Sequence, residues 1–115
     1  MIKKLLLPFA CLLFLVSCHE EAKITITNQV SGVKLDNISY CDIYLASNLL
    51  PGKSQTKTIT GGGDIKFPLN GQVYFVMTKG EDQVLLKTKQ SFFIDKDDHL
   101  AIIISDETEV IAPYD

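Results

Sequence analysis

The sequence contains no arginine and no tryptophan, and these two absences narrow the kinds of site that the chain can build. Arginine is the side chain best suited to bind carboxylate or phosphate through two parallel hydrogen bonds. Tryptophan and arginine also anchor many protein–protein interfaces, and tryptophan offers a large ring for stacking. An arginine clamp for phosphate and a tryptophan platform for sugars are therefore excluded, although tyrosine can take over the stacking role.

Positive charge is scarce as well, because 11 lysines stand against 14 acidic residues and the formal net charge is −3. This balance is unsuited to binding nucleic acid, and it does not favour attraction to anionic lipid. The deficit of positive charge is concentrated near the C-terminus, where Lys96 is the only lysine between residues 90 and 115. We expect the final strands to carry a negative rim, which at a sheet edge would discourage aggregation.

The residue spacings of common catalytic centres are missing too. The two histidines are His19 and His99, and the chain has no Gly-x-Ser-x-Gly, His-Glu-x-x-His or Cys-x-x-Cys motif. A nucleophile pair of Cys41 and His99 would need a proximity that the sequence does not indicate. The glycine run at 61–63 lacks the lysine and the helix of a phosphate-binding loop. We predict a protein that is not an enzyme and uses no cofactor.

One turn, DKDD at residues 95–98, is the best candidate for a metal site. Carboxylates on a tight turn suit Ca²⁺, but the segment lacks the glycine and the distant glutamate of an EF-hand loop. Asp106 and Glu107 should lie at the opposite end of the following strand. We therefore interpret residues 95–98 as a solvated hairpin turn and predict no metal site.

The N-terminus combines a short positive segment with an apolar run that ends at a cysteine. Residues 5–16 are apolar, which is the length of a signal-peptide core and too short to span a bilayer comfortably. The run ends in Leu15-Val16-Ser17-Cys18, which resembles the lipobox of bacterial lipoproteins. The resemblance implies that residues 1–17 are a signal peptide and that Cys18 becomes the lipidated N-terminus. An ordinary secretory signal or a membrane-anchoring segment is the alternative.

Lipidation of Cys18 would attach the chain to a membrane without a transmembrane helix. Each buried methylene contributes about 0.8 kcal/mol, so several acyl chains together anchor stably. The acidic residues Glu20 and Glu21 behind the cysteine resemble the surface-export signal of one Gram-negative lineage. We expect an outer-membrane protein of the cell envelope, and prefer surface display over a periplasm-facing orientation. Residues 18–22 would be the lipidated N-terminus and a short tether that holds the domain near the membrane.

Apolar and polar residues alternate with a period of two through residues 23–115, and no helical stripe interrupts them. Turn residues recur about every ten positions, which predicts a single antiparallel β-sandwich of about seven or eight strands. The turn LPGKS at 50–54 resembles an inter-strand turn of bacterial immunoglobulin-like sandwiches with Greek-key topology. Residues 88–110 resemble the closing strands of small uncharacterised bacterial lipoproteins. A small closed β-barrel is the alternative.

Three local expectations refine this picture. Asn70 and Gly71 tolerate positive φ, which predicts a type I′ hairpin between residues 65–69 and 72–78. Residues 54–60 are polar and rich in threonine, which is typical of an edge strand. Residues 100–104 are apolar on both faces, which predicts a central strand covered on both sides.

One cysteine and two tyrosines lie close together in the sequence. Cys41 would be the only thiol left after signal cleavage and lipidation, so an internal disulfide is excluded. Alternation places Cys41 on the face of Ile43 and Leu45, which predicts a buried structural cysteine. Tyr40 and Tyr44 share the opposite face. If a second sheet covers that face they belong to the core, and if it is open they form a contact patch for a protein or glycan ligand.

Two functions are compatible with these observations. The first is a lipid-anchored, non-enzymatic module for binding or adhesion, or a small accessory subunit of an envelope complex. The second is a periplasm-facing lipoprotein that inhibits, or protects against, an enzyme. An open tyrosine patch would favour the first function, whereas a protruding loop at residues 54–63 would favour the second.

Overall fold

The computed structural model describes residues 20–113, which form ten short β-strands. The strands are β1 (Glu21–Gln29), β2 (Lys34–Tyr40), β3 (Ile43–Ala46), β4 (Ser54–Thr60), β5 (Leu69–Gly71), β6 (Val73–Lys79), β7 (Asp82–Thr88), β8 (Phe92–Ile94), β9 (His99–Ser105) and β10 (Val110–Ile111). Cys18 and the rest of the lipobox lie outside the described residues. Within residues 20–113, no helix is long and apolar enough to cross a membrane.

The strands form three sheets. One sheet has the order β9-β1-β4, a second has the order β10-β7-β6-β2-β3, and β5 pairs with β8 alone. The all-β class and the sandwich architecture are confirmed, and the sheets are open, so the closed barrel is not the architecture found. Two details differ from the prediction, because there are ten strands and because β9 runs parallel to β1.

The core lies between the inner faces of these sheets, and the alternation in the sequence explains how. In β1, Ala22, Ile24 and Ile26 are buried, while the intervening residues face outward. In β6, Val73 and Phe75 are fully buried, while Tyr74 between them is exposed. The other large side chains that are fully buried come from four further strands: Leu35, Ile38, Tyr40, Ile59, Ile94, Ile102 and Ile104. Burial of such side chains stabilises the fold by about 1.5–3 kcal/mol each.

The hairpin predicted at Asn70-Gly71 is wrong. Both residues lie inside strand β5, where they pair with Phe93 and Phe92 of β8, and neither has a positive φ. Gly71 meets a different demand, because a Cβ atom there would lie 2.8 Å from the sulfur of Cys41. The glycine therefore allows another segment to approach closely and does not form a turn.

A tight hairpin lies instead at Cys41-Asp42, between β2 and β3. Cys41 and Asp42 have φ values of 51° and 63°, and the residues on either side, Tyr40 and Ile43, are paired. Two consecutive positive φ values are the mark of a type I′ turn. This turn interrupts the alternation on which the placement of Cys41 depended, so Cys41 does not share a strand face with Ile43 and Leu45.

The central position predicted for residues 100–104 is also wrong. Strand β9 is an edge strand of its sheet, and only one of its faces is covered. Leu100, Ile102 and Ile104 point inward, whereas Ala101 is exposed and Ile103 is 53% exposed. The apolar run thus includes side chains that face outward. A continuous apolar run by itself does not show which of its side chains face the core.

Other local predictions are confirmed. Residues 54–60 form β4, which is the edge strand opposite β9 in the same sheet. The turn at 50–53 is closed by a 3.0 Å hydrogen bond from the backbone N–H of Lys53 to the carbonyl oxygen of Leu50. Gly52 within that turn has a φ of 83°, which is the conformation that favours glycine.

Candidate binding face

The two tyrosines singled out in the sequence have different environments. Tyr40 is fully buried in the core, and its hydroxyl donates a 2.7 Å hydrogen bond to the carbonyl oxygen of Phe92. Burial raises the pKa of Tyr40. Tyr44 is 56% exposed on β3. The two side chains do not share a face, because the Cys41-Asp42 turn separates their strands. The shared face predicted for this pair is therefore wrong: Tyr40 belongs to the core, and Tyr44 lies on the outer face.

Tyr44 instead belongs to a row of side chains that crosses the outer face of the five-stranded sheet. Cross-strand pairing joins Tyr44 to Ser39, Ser39 to Tyr74, Tyr74 to Lys87, and Lys87 to Ile111. Side chains of directly paired residues point to the same face. The row therefore includes one residue from each of the five strands.

The row is accessible, and its two tyrosines are separated by one intervening strand. Tyr74 is 38% exposed and Ile111 is 37% exposed, in addition to Tyr44. Tyr44 and Tyr74 lie two strands apart, a separation of about 10 Å at the usual inter-strand spacing. The ammonium group of Lys87 lies 5.8 Å from the centroid of the Tyr74 ring, within reach of a cation–π interaction that orients both side chains.

A second row adds aliphatic surface beside the first. Asp36 pairs with Val76, and Val76 pairs with Leu85, which is 36% exposed. We call the outer-face residues of both rows the tyrosine face: Ser39, Tyr44, Tyr74, Val76, Leu85, Lys87 and Ile111. Its centre is apolar, and its polar groups are a hydroxyl, two phenols and one ammonium group.

Asp36 closes one side of the tyrosine face and is held by several neighbours. Its carboxylate accepts hydrogen bonds from Thr78 Oγ1 at 2.8 Å and from the backbone N–H of Asn48 at 2.8 Å. It also accepts one from Ser47 Oγ at 3.2 Å, and Lys34 Nζ lies 3.6 Å away. Desolvation acts to raise the pKa of Asp36, but these hydrogen bonds and the lysine together lower it. This carboxylate organises the sheet and loop around it.

The chemical groups considered for catalysis lie on separate elements. Cys41 is half-buried in the β2–β3 turn, and desolvation is the largest cause of its raised pKa. His99 begins β9, where its Nε2 lies 2.8 Å from Thr25 Oγ1. Residues 20–113 contain no cluster of three or more histidine, cysteine or acidic side chains that would hold a metal ion.

The acidic turn at 95–98 uses its carboxylates to hold its own backbone. Asp98 Oδ2 accepts the N–H of Asp95 at 2.8 Å, and Asp95 Oδ1 accepts the N–H of Lys96 at 2.7 Å. Asp106 lies beyond the far end of β9, and its carboxylate accepts hydrogen bonds from the backbone N–H and the hydroxyl of Ser31. The acidic groups therefore flank β9 at both ends.

Residues 54–63 do not protrude as a loop. Seven of them are strand β4, which is paired along its whole length with β1. The next segment is a small turn in which Gly62 and Ile65 form two backbone hydrogen bonds of 2.8 and 2.9 Å. The feature expected of a cleft-plugging inhibitor is thus absent from this part of the described chain.

Of the seven residues in the tyrosine face, the sequence singled out Tyr44, whereas the other six, Tyr74 and Lys87 among them, were not predicted. In β6, apolar residues recur at every second position, at Val73, Phe75 and Met77. The opposite side of β6 follows from the same alternation, but its alignment with Tyr44 depends on the strand order.

Comparison of the chain with protein-family models, curated proteins and solved structures gives no match.

Proposed function

We propose that this chain is a lipid-anchored, non-enzymatic binding module of the bacterial outer membrane, and that the tyrosine face holds its partner. The observation that carries the proposal is the continuous row of Tyr44, Ser39, Tyr74, Lys87 and Ile111 across an uncovered sheet face. Tyrosine is enriched at interfaces because its ring contributes apolar contact while its hydroxyl remains able to form hydrogen bonds.

The composition of the face favours a protein partner over a glycan. Val76, Leu85 and Ile111 adjoin the tyrosines and add aliphatic area, which protein surfaces match well. A sugar needs polar side chains directed at its hydroxyl groups, but the nearby carboxylate of Asp36 is already engaged by three donors. Binding of a glycan is therefore the alternative outcome of the test below.

The tether supports a module that acts close to its membrane. Strand β1 begins at Glu21, so only His19 and Glu20 would separate it from a lipidated Cys18. At about 3.5 Å per residue, the strand would start within about 10 Å of the anchor. Partners embedded in, or lying against, the same membrane would therefore be within reach.

The location is tested by protease treatment of intact cells, with a periplasmic protein as control. Digestion of the domain while the control survives is expected for surface display. Protection until the outer membrane is broken would contradict surface display and leave a periplasm-facing module.

The lipid anchor is tested by Cys18→Ser. This variant is expected to lose labelling by radioactive palmitate and to leave the membrane fraction; a variant that is still labelled and still membrane-bound would refute the anchor.

The face is tested by introducing a photo-crosslinking amino acid at Tyr44 in cells, with Leu50 as the control position. Leu50 is 50% exposed, but it lies in the turn before β4. A discrete adduct from position 44 only is expected. Tyr74→Ala should weaken that adduct, whereas Phe93→Ala, which removes an exposed aromatic ring elsewhere, should leave it unchanged. Equal adducts from both positions, or indifference to Tyr74→Ala, would refute the tyrosine face.

A further inference from the structure

The outer edge of β9 presents backbone groups that no strand within residues 20–113 pairs. Lys23 N donates to Asp98 O at 2.9 Å, and Lys23, Thr25 and Thr27 are in register with His99, Ala101 and Ile103. In a parallel ladder this pattern directs the backbone of Leu100, Ile102 and Ile104 toward β1. The N–H and C=O groups of Ala101 and Ile103 therefore point to the open edge.

Only part of this edge is satisfied locally. Ser105 forms backbone hydrogen bonds with Thr108 Oγ1 and with the N–H of Thr108, at 2.8 and 3.1 Å. The carbonyl oxygen of Ile103 receives a long contact of 3.5 Å from the same Thr108 hydroxyl. A short stretch centred on Ala101 and Ile103 thus remains open for pairing.

Strand β9 lacks the features that usually prevent edge-to-edge pairing. Its seven residues, HLAIIIS, include no lysine, no acidic residue and no proline, and its pairing with β1 contains no bulge. Natural edge strands are normally protected by such features. The opposite edge of the same sheet, β4, carries Lys57 and is otherwise polar except for Ile59. The two edges of one sheet are therefore unlike in chemistry.

A cleft of about 340 Å³ adjoins the open edge. It is lined by Thr88, Gln90, Phe92, Ile103, Glu107, Thr108 and Glu109, so it lies between β9 and the end of the neighbouring sheet. A strand added to β9 would run beside this cleft, so that the side chains on one of its faces would reach it. The edge thus offers both main-chain pairing and a place for side chains, which are the two parts of strand addition.

Charge at both ends of β9 indicates the kind of strand that fits. Asp95, Asp97 and Asp98 precede the strand, while Asp106, Glu107 and Glu109 follow it. The two nearby lysines are already engaged, because Lys96 lies 3.7 Å from Glu20 and Lys89 lies 4.0 Å from Glu109. The uncharged strand therefore lies between two negative ends.

We propose that β9 is a docking edge for an extended segment of a partner protein, added antiparallel to β9. The segment is uncharged over about the seven residues that face β9, and it carries lysine or arginine at both ends. Main-chain hydrogen bonds to Ala101 and Ile103 hold it, and the acidic ends select its charge.

A second copy of this chain is disfavoured as the occupant. Antiparallel pairing of all seven β9 residues with a second β9 would place Asp98 opposite Asp106 and Asp97 opposite Glu107. The same two oppositions would recur at the other end by symmetry. Like charges directly opposite one another destabilise a strand pair.

The test uses the chain from residue 18 onward with Cys18→Ser and a labelled synthetic peptide, KKTVTVTVTKK. Fluorescence anisotropy is expected to show saturable binding that weakens with added salt. The peptide EETVTVTVTEE, which has the same body and opposite charge, is expected not to bind. Hydrogen exchange at the amides of Ala101 and Ile103 should slow when the lysine peptide is present.

Variants locate the binding at the edge of β9. Ala101→Pro removes an N–H that faces away from β1, so it should leave the ladder intact and weaken binding by about tenfold or more. Ile103→Lys, at an exposed position, should weaken it as well because it repels the peptide. Thr58→Pro makes the corresponding change on the β4 edge and should leave binding unchanged, as should the double variant Tyr44→Ala/Tyr74→Ala.

Three results would overturn the proposal. The first is a folded Ala101→Pro chain that binds the peptide as tightly as the parent. The second is equal weakening by Thr58→Pro, which would indicate a non-specific effect. The third is a parent chain that binds neither peptide, and sedimentation would then distinguish a dimer joined through β9 from an edge that pairs with nothing.

Discussion

Gly71 lies against the thiol of Cys41 so closely that a Cβ atom at position 71 would be 2.8 Å from Cys41 Sγ. The contact joins strand β5 to the turn between β2 and β3. It exists because glycine has no side chain and because the Cys41-Asp42 turn directs the thiol toward β5.

Gly71→Ala is therefore expected to lower the free energy of unfolding by about 1–2 kcal/mol, since the added methyl group overpacks the contact. In a Cys41→Ala background the same change should be neutral or stabilising, because the sulfur is gone and alanine lowers the entropy of the unfolded chain. Urea unfolding of the four proteins checks this. An equal cost in both backgrounds would show that the thiol is not the obstacle.

Asn28 should be the polar residue most sensitive to substitution. It is fully buried, its Nδ2 donates to the carbonyl oxygens of Val33 and Leu49 at 2.8 Å, and its Oδ1 accepts the N–H of Val30 at 2.8 Å. Asn28→Ala would leave buried groups without partners, at an expected cost of about 2–4 kcal/mol. Gln29→Ala, at the exposed neighbour, should change stability by less than about 0.5 kcal/mol in the same denaturation experiment.

Asp36 should make stability depend on acid pH. Its folded-state pKa lies below the ordinary 3.8, despite the opposing effect of desolvation, because Thr78, Asn48, Lys34 and Ser47 favour the charged form. The contribution is therefore present above about pH 4 and is lost as the pH falls through the folded pKa. In Asp36→Asn, the urea midpoint should fall less steeply between pH 5 and pH 2. Asp82→Asn removes an exposed charge and serves as the control; an identical slope in both variants would contradict the assignment.

Cys41 should react slowly with thiol reagents in the folded protein. The side chain is half-buried, and desolvation raises its pKa, so little thiolate is available near neutral pH. In the chain from residue 18 onward with Cys18→Ser, Cys41 is the only cysteine, and its alkylation should accelerate strongly when urea unfolds the chain. Equal rates in native buffer and in urea would mean that the turn leaves the thiol open.

The local alternation of the sequence was enough to predict the all-β class and most strand positions. Strands β1 and β6 follow from a period of two, and β9 follows from a continuous apolar run. Turns at Ser31-Gly32 and Pro51-Gly52 follow from the glycines, which permit positive φ. These features depend on the backbone and on neighbours in the chain, so they can be read without knowledge of the fold.

The same local rules failed where a residue serves a distant contact. Asn70-Gly71 has the residue types of a turn, yet glycine at position 71 leaves room for the sulfur of Cys41. Cys41 is thirty positions earlier in the chain. Cys41 and Asp42 form a tight turn that lacks the usual glycine, because the pairing of β2 with β3 imposes positive φ on both residues. Local propensity is a weak preference that tertiary contacts override.

Both candidate surfaces depend on strand order, which the sequence does not encode locally. Alternation alone indicates that Tyr44 and Tyr74 face away from the core, but only the order β10-β7-β6-β2-β3 aligns them with Lys87 and Ile111. Composition alone indicates the acidic ends of β9, but only its place at the edge of β9-β1-β4 leaves the strand open. Which strands become neighbours is decided by the packing of the whole core, because each strand buries its apolar side only when the sheets assemble.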